Sequence, residues 1–384
     1  MVPKTVRFGI EEELFVSNPS TQRVVVRSVQ SFQNEIRREF GDRVSSELLQ
    51  SQIELKTNVL SHVADAFEAL AEHRRQLCEI AARHDLEVLA AGTHPLAGWR
   101  TQRVSTSARY EALVDDFQIV AHRTLLCGLH IHAEIPPEVD RIRLMNELMR
   151  WLPLWLALSA SSPFWDGRDT GLMSYRQAAY DEWPRTGIPR LFDSEAEYKK
   201  YVDTLVATKA IADESYIWWT IRPSARYPTL ELRIADSCPL YRDSVCVAEL
   251  FRTAVLQALI NSRDGRLSRH SGIDRLLIEE NRWRAKRFGT AAEFIDLGTQ
   301  ENRTAVSFLN GFVTACAEAI GDLDSEWAIE HASMLIASGS SAHRQRAVYL
   351  RRVGEGDSGA QAVRAVVQSL ATETREGRPA LNLG

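Results

Sequence analysis

Four short segments of the chain alternate apolar residues with residues that can bind metal ions, and this pattern constrains the fold more than any other feature. The first segment, FGIEEELF at 8–15, carries three consecutive glutamates in strand-like sequence, although glutamate is a poor strand former. Side chains alternate across a strand. Glu11 and Glu13 are therefore predicted to share one face, and Glu12 lies among the apolar residues of the other.

The same alternation recurs in three further segments, QIEL at 52–55, LHIHAEI at 129–135 and TLELRIAD at 229–236. In each segment the apolar residues share one face, and acids, imidazoles or a guanidinium share the other. If the four strands pair in one sheet, their apolar faces pack against helices. The opposite faces then gather one set of ligand-type residues in a concave region: Glu11, Glu13, Glu54, His130, His132 and Glu231.

Such a group of carboxylates is costly unless cations neutralise it. Hard divalent cations take oxygen ligands, and Mg²⁺ commonly bridges protein carboxylates to substrate phosphates. A set that also contains imidazole admits Mn²⁺. The residues therefore predict a divalent-metal site, and the alternative is an ordinary half-exposed antiparallel sheet, which shows the same alternation.

Charge and composition narrow the function classes. The chain has 46 basic and 51 acidic residues and a net charge of −5, so no basic excess indicates nucleic acid or an anionic membrane as a partner. The five cysteines form no C-x-x-C pair and are predicted to be reduced core residues of a cytoplasmic protein. The N-terminus lacks the apolar run of a signal peptide. No G-x-x-x-x-G-K-[ST] motif is present, so a P-loop does not supply phosphate binding.

Hydrophobic periodicity predicts strands early in the chain and helices late. The predicted strands are 6–16, 24–27, 51–56, 86–92, 127–135, 216–222 and 229–236. The predicted helices are 31–40, 61–84, 107–119, 138–158, 194–212, 241–262, 271–287, 300–319, 324–338, 341–353 and 358–375. Residues 161–190 are rich in Gly, Pro, Arg and aromatics and predict a long ordered loop, which is often functional. This distribution indicates the α+β class.

Four motifs resemble those of the glutamate–cysteine ligase type 2 family of carboxylate–amine ligases: FGIEEELF, GLHIHAEIP at 128–136, SPFWDGRDTGLMSYR at 162–176 and LELRIADSCP at 230–239. The resemblance covers most of the chain to about residue 350. It implies a fold similar to glutamine synthetase, with a curved, mainly antiparallel sheet that forms a funnel covered by helices. We therefore expect a single catalytic domain over 1–384 with a helical C-terminal part from about 241.

The resemblance also implies an ATP-dependent ligase. A substrate carboxylate, expected to be the γ-carboxylate of glutamate, is phosphorylated by ATP, and cysteine or another small amine attacks the acyl phosphate with release of ADP and phosphate. By resemblance, the ligands of Mg²⁺ or Mn²⁺ are Glu11, Glu13, Glu54, His130 and Glu231. The expected catalytic residues are Arg233 and Arg176. Contacts with ATP are expected from Arg233, Arg222 and His132, and contacts with the other substrates from Arg176, Tyr175, Thr57 and Asn58.

Two other functions stay open at this point. An H-x-H strand also begins the active site of metal-dependent amidohydrolase barrels, but those barrels need a regular alternation of strands and helices, which does not follow residue 135. The second alternative is a non-catalytic relative that binds nucleotide through the same funnel. For the ligase, the expected partners are small-molecule substrates, and apolar faces on the late helices favour a homodimer.

Overall fold

One eight-stranded sheet contains all four alternating segments. The chain is described here by a computed structural model, which covers residues 5–26, 29–105 and 107–380. The strands are β1 (Phe8–Asn18), β2 (Arg23–Val24), β3 (Val44–Ser46), β4 (Gln52–Lys56), β5 (Glu87–Leu89), β6 (Leu129–Glu134), β7 (Phe164–Trp165), β8 (Arg168–Asp169), β9 (Ile221–Pro223), β10 (Thr229–Leu232), β11 (Glu293–Ile295) and β12 (Asn302–Thr304).

Helices cover the sheet and dominate the second half of the chain. They are α1 (Gln30–Phe40), α2 (Val63–Arg83), α3 (Ala108–Phe117), α4 (Ile119–His122), α5 (Arg141–Leu148), α6 (Leu152–Ser159), α7 (Tyr175–Tyr180), α8 (Glu195–Ala207), α9 (Tyr241–Arg263), α10 (Gly272–Phe288), α11 (Ala305–Ala315), α12 (Ala317–Leu323), α13 (Glu326–Ser338), α14 (Ser341–Gly354) and α15 (Gly359–Glu376). This distribution confirms the predicted α+β class.

The strand order in the main sheet is β3-β4-β1-β6-β10-β9, and β2 and β5 pair with the C-terminal half of β1. Every pairing between these strands is antiparallel. The mainly antiparallel sheet was predicted. It excludes the parallel barrel that the amidohydrolase alternative requires.

The register of the pairs decides which charged side chains meet, because directly opposed residues share a face. Glu11 lies between Lys56 of β4 and His130 of β6, and Glu13 lies opposite Glu54. On the other side of the sheet centre, Glu231 lies between His132 and Arg222. The ligand-type residues of four separate segments therefore meet on one face, as predicted.

The apolar face of the sheet packs against helices. Phe8 and Ile10 of β1 belong to the same buried cluster as Ile131 of β6 and Leu232 of β10, and α9 contributes to that cluster along most of its length. All residues of α9 from 243 to 260 are buried, as expected for a helix inside a large core. None of the helices within the described ranges is both long and apolar enough to cross a membrane.

Several element boundaries differ from the prediction for local reasons. The predicted helix 107–119 divides at Gln118, whose φ of 47° lies in a region that non-glycine residues rarely adopt. The predicted helix 138–158 divides into α5 and α6 at a 3₁₀ turn over Met149–Trp151. The loop 161–190 contains the β7–β8 hairpin and the short helix α7.

Short strands account for most of the missed elements. The strands β3 and β11 were not predicted, and β12, which pairs with β11, replaces the start of the predicted helix 300–319. Each of these strands has three residues, too few to show a period, so partner strands and not local sequence define them. The predicted strand 24–27 corresponds to β2, and its residue 27 lies outside the described residues.

Candidate active site

The charged face of the sheet lines a cavity of about 540 Å³. Most of the predicted site residues lie on its wall: Glu11, Glu13, Glu54, His130, His132, Arg176, Arg222, Glu231 and Arg233. An adjoining cavity of about 420 Å³ is lined by Thr57 and Asn58 and shares Glu11 and His132 with the first. Tyr175 is placed elsewhere, with its ring 5.3 Å from that of Trp165.

Glu12, the middle residue of the three consecutive glutamates, is neutralised on the helical side of the sheet. Arg74 of α2 donates two hydrogen bonds to its carboxylate, from Nη2 to Oε1 at 2.6 Å and from Nε to Oε2 at 3.1 Å. Ser244 Oγ donates a third at 2.9 Å. The buried carboxylate is thus satisfied by partners within the protein, and only Glu11 and Glu13 face the cavity.

Two groups of acidic and imidazole side chains on the cavity wall are close enough to share an ion. One is Glu11, Glu54 and His130, and the other is Glu13, Glu47 and Glu54. Within each group, one ligand atom per residue lies within 4.8 Å of the others. Glu47 was missed by sequence reasoning, because it follows the unpredicted strand β3 and belongs to no alternating segment.

His130 lacks partners of its own. Its side chain is 4% exposed, and within the described residues neither ring nitrogen has a hydrogen-bond partner. Nδ1 lies 3.7 Å from Glu11 Oε2, and Nε2 lies 3.7 Å from Glu13 Oε1, which is too far for a hydrogen bond. A buried imidazole without partners is costly, and a metal ion is a partner that it commonly takes.

The acids of the two groups have little positive charge near them. Lys56 Nζ lies 2.8 Å from Glu54 Oε1 and 3.3 Å from Glu11 Oε1. Burial, together with neighbouring carboxylates, raises the pKa of both Glu47 and Glu54. Among the described residues, Lys56 is the only lysine or arginine within 4.0 Å of these four carboxylates, and it contacts two of them, so the residues fit divalent cations.

Glu11 behaves differently from the other acids. Burial disfavours its charged form, but the nearby imidazoles of His130 and His132 outweigh burial and lower the pKa of Glu11. His132 is oriented by a contact of 2.9 Å between Nδ1 and Thr229 Oγ1, and its Nε2 lies 3.7 Å from Glu11 Oε1. Glu11 therefore stays ionised and available to a cation.

Glu231 lies outside both groups, and its role as a metal ligand stays a prediction. Arg222 donates from Nε to Glu231 Oε2 at 2.8 Å and from Nη2 to Oε1 at 3.2 Å, and Arg233 donates to Oε1 as well. Burial opposes ionisation, but the two guanidinium groups lower the pKa of Glu231 well below its usual range. The register of β9 and β10, which places Arg222 opposite Glu231, is the reason.

The loop 161–190 positions Arg176 at the end of the cavity. Its backbone N–H donates to Ser162 Oγ at 3.0 Å, and its Nη1 donates to Ala235 O at 3.0 Å and lies 3.9 Å from Asp236 Oδ1. A Cβ atom at Gly128 would lie 2.3 Å from Arg176 Nη2. Glycine at 128 is thus required for the guanidinium to reach this place.

Aromatic side chains also form part of the cavity wall. Trp183 and Trp218 lie with their ring centroids 5.1 Å apart, and Tyr180 OH accepts a hydrogen bond of 3.3 Å from Arg233 Nη2. All three residues line the cavity. The site therefore combines an acidic group suited to cations with an apolar surface suited to an organic substrate.

Known proteins resemble this chain over nearly its whole length. The family described as Glutamate-cysteine ligase family 2 matches residues 7–369. A protein of Ectopseudomonas mendocina named "Putative glutamate--cysteine ligase 2" is 45% identical over 371 residues, which are 96% of each chain. A protein of the same name from Bradyrhizobium sp. strain BTAi1 is 38% identical over 91% of this chain and 84% of its own.

Solved structures share the fold. A glutamate–cysteine ligase of Francisella tularensis, solved in complex with AMP, has a TM-score of 0.70 at 10% identity and covers 99% of this chain and 90% of that one. A bifunctional glutathione synthetase of Pasteurella multocida has a TM-score of 0.69 at 16% identity and covers 97% and 53%. The chain belongs to glutamate–cysteine ligase family 2 and is an ATP-dependent ligase that joins a carboxylate to an amine.

Proposed function

We propose that this ligase phosphorylates the γ-carboxylate of glutamate with ATP and couples the acyl phosphate to cysteine or another small amine, with release of ADP and phosphate. The observation that carries the proposal is the group of four cavity carboxylates around the buried, unpartnered His130. In a family of ligases, this group is where the phosphates of ATP would be bound.

Glu11, Glu13, Glu47, Glu54 and His130 would hold Mg²⁺ or Mn²⁺ in this cavity. When bound, such ions neutralise the negative charge of ATP phosphates and stabilise the phosphoryl group in transfer. The same acids would be overcrowded without cations, since like charges at this distance repel. Support for the metal is thus the composition of the wall itself.

The arginines of the wall supply permanent positive charge. Arg222 and Arg233 are anchored on Glu231, and Arg233 also contacts Tyr180. Guanidinium groups stay protonated at all relevant pH values and bind phosphate or carboxylate oxygens. We assign stabilisation of the transferred phosphoryl group to Arg233 and binding of a substrate carboxylate to Arg176, because both charges are held in place by the protein.

The remaining wall fits the other reactants. His132 is fixed by Thr229 at the border of the two cavities, where it would contact ATP. Tyr180, Trp183 and Trp218 offer apolar area to the amine. Thr57 and Asn58 contact substrate from the adjoining cavity in this proposal.

The test is product formation by the purified protein. It is incubated with ATP, Mg²⁺ or Mn²⁺ and a panel of amino acids and amines, and ADP and ligated products are measured by mass spectrometry. We expect ADP only when metal, glutamate and an acceptor amine are all present. ATP binding without ADP formation on any acceptor would support the non-catalytic relative, and amide hydrolysis without ATP would overturn the proposal.

A further inference from the structure

Lys56 is a positive charge that the sheet itself places among the cavity acids. It ends β4 two residues after Glu54 and therefore shares the face of that acid. The register of β1 and β4 puts it directly opposite Glu11. The two acids of the Glu11–Glu54–His130 group are thus its immediate neighbours in the sheet.

The lysine contacts both of the acids that an ion in this group would use. Its Nζ lies 2.8 Å from Glu54 Oε1 and 3.3 Å from Glu11 Oε1. Ser45 Oγ donates to that same Glu54 oxygen at 2.8 Å. A divalent ion shared by Glu11 and Glu54 must therefore compete with an ammonium group already bound there.

The negative charge of the Glu13–Glu47–Glu54 group is less compensated. Glu13 accepts a backbone hydrogen bond of 2.5 Å from Gly128 N. Among the residues that the structure describes, Glu47 makes no ion pair within 4.0 Å, and of the three acids only Glu54 contacts Lys56. The Glu13–Glu47–Glu54 group therefore has the larger unmet demand for a cation.

The side chain of Lys56 also has space to move away from the acids. It lines both the 540 Å³ cavity and the adjoining 420 Å³ cavity, and its side chain is 30% exposed. A lysine side chain is long and flexible, with its charge at the tip. It can leave the acids by rotating toward the adjoining cavity without a change in the backbone.

We propose that Lys56 is a resident cation that keeps the Glu11–Glu54–His130 group closed to divalent ions. The Glu13–Glu47–Glu54 group binds an ion first, and the other group binds one only after Lys56 has moved away. Lys56 thereby sets the order and the affinity of metal binding. This inference rests on the divalent cations of the proposed function.

The test is Mn²⁺ binding, measured on the full chain by the electron paramagnetic resonance signal of free Mn²⁺ at fixed ionic strength. Lys56→Met removes the charge and keeps most of the side-chain volume. Because charges a few ångströms apart interact strongly at a partly buried site, we expect this variant to bind Mn²⁺ at least about tenfold more tightly at the Glu11–Glu54–His130 group than the wild type. Lys56→Arg keeps the charge and should match the wild type.

Two controls separate this effect from others. Lys199→Met removes an exposed lysine that pairs with Asp203 and should leave Mn²⁺ binding unchanged. Thermal unfolding with and without Mn²⁺ checks that each variant folds, and the rise in Tm on adding Mn²⁺ should be larger for Lys56→Met than for the wild type. Lys56→Gln serves as a second neutral variant if Lys56→Met does not fold.

The outcomes distinguish the inference from the proposed function. Equal Mn²⁺ affinity and stoichiometry in the wild type and the neutral variants would overturn the role of Lys56 and leave the proposed ligase site intact. If Lys56→Arg binds as tightly as Lys56→Met, charge is not the cause and the inference fails. If neither the wild type nor a neutral variant binds Mn²⁺, the metal of the proposed function fails as well.

Discussion

Glu11 and Glu12 are neighbours in the sequence and lie on opposite faces of β1. Glu12 is 1% exposed, and Arg74 and Ser244 satisfy its carboxylate from within the protein. Glu11 faces the cavity, where it shares one lysine with Glu54. A carboxylate with its full complement of internal partners serves the structure, whereas a group of acids with too little internal positive charge is a site for an external cation.

The two faces also differ in what they contribute to stability. A buried ion pair adds little to the free energy of unfolding, but loss of one partner leaves an uncompensated charge and is strongly destabilising. On the cavity face, burial and mutual repulsion raise the pKa of Glu47 and Glu54. Removal of an acid there relieves repulsion and should stabilise the fold, although it should lower the activity of the site.

The rate of ADP formation tests the cavity face, and the expected effect is the largest. Glu11→Gln should lower the rate of ADP formation by about 10³-fold or more, because bound divalent ions supply several kcal/mol of stabilisation to the transition state. The variant should stay folded, since glutamine keeps the shape of the side chain. Glu87→Gln, on the β5 strand that pairs with β1 outside the cavity, is the matched control and should keep its rate.

The same variants show how the comparison could fail. If Glu11→Gln keeps a rate within a few-fold of the wild type while Glu87→Gln does too, the cavity face does not carry the chemistry. Circular dichroism of both variants establishes that any loss of rate is not a loss of fold.

The helical face is tested by stability. Arg74→Met should lower the free energy of unfolding by about 3–5 kcal/mol, because it leaves the buried charge of Glu12 without a partner. Arg75→Met removes the next residue of α2, which is 55% exposed in contrast to 2% for Arg74, and should leave stability nearly unchanged because exposed ion pairs contribute little. Urea denaturation measures both, and equal losses would show that Glu12 does not depend on its partner.

Mn²⁺ affinity tests which acids belong to the two metal-binding groups, and the expected effect is smaller. Glu47→Gln should weaken Mn²⁺ binding by about 10–100-fold, whereas Glu231→Gln should leave Mn²⁺ affinity nearly unchanged, because Arg222 and Arg233 already neutralise Glu231. The measurement is a Mn²⁺ titration of each folded variant. Comparable weakening in both variants would confirm the ligand role that the resemblance implies for Glu231.

The smallest effect concerns His94, which is buried near the C-terminal end of β1. Its Nε2 lies 3.0 Å from Ser17 Oγ. Leu96 N donates to His94 Nδ1 at 3.2 Å, so the neutral ring is the form that fits, and burial lowers the pKa of His94 to about 3. The unfolded chain binds this proton near pH 6.5, and the folded chain does not until about pH 3. Stability from this residue is complete above pH 6.5 and declines as the pH falls toward 3.

Between pH 7 and pH 5 this decline amounts to about 2 kcal/mol. Urea denaturation at both pH values gives the slope for the wild type, and His94→Gln, which cannot titrate, should show a slope smaller by that amount. An unchanged slope in the variant would show that His94 is not held neutral.

Much of this comparison is determined by the sequence alone. The two-residue period of a strand assigns Glu11 and Glu13 to one face and Glu12 to the other without knowledge of the fold. The same rule selects Glu54 and His130, and the motifs that follow them identify the family. These inferences hold because alternation is a local property of an extended backbone.

The tertiary structure decided which charges meet. Strand registers place Lys56 opposite Glu11 and Arg222 opposite Glu231, where each pair forms an ion pair. Glu47 enters the cavity after β3, a strand of three residues that exists because it pairs with β4. Pairing over long sequence distances leaves no periodic signal in the sequence, so the balance of charge at the site appears only in the folded molecule.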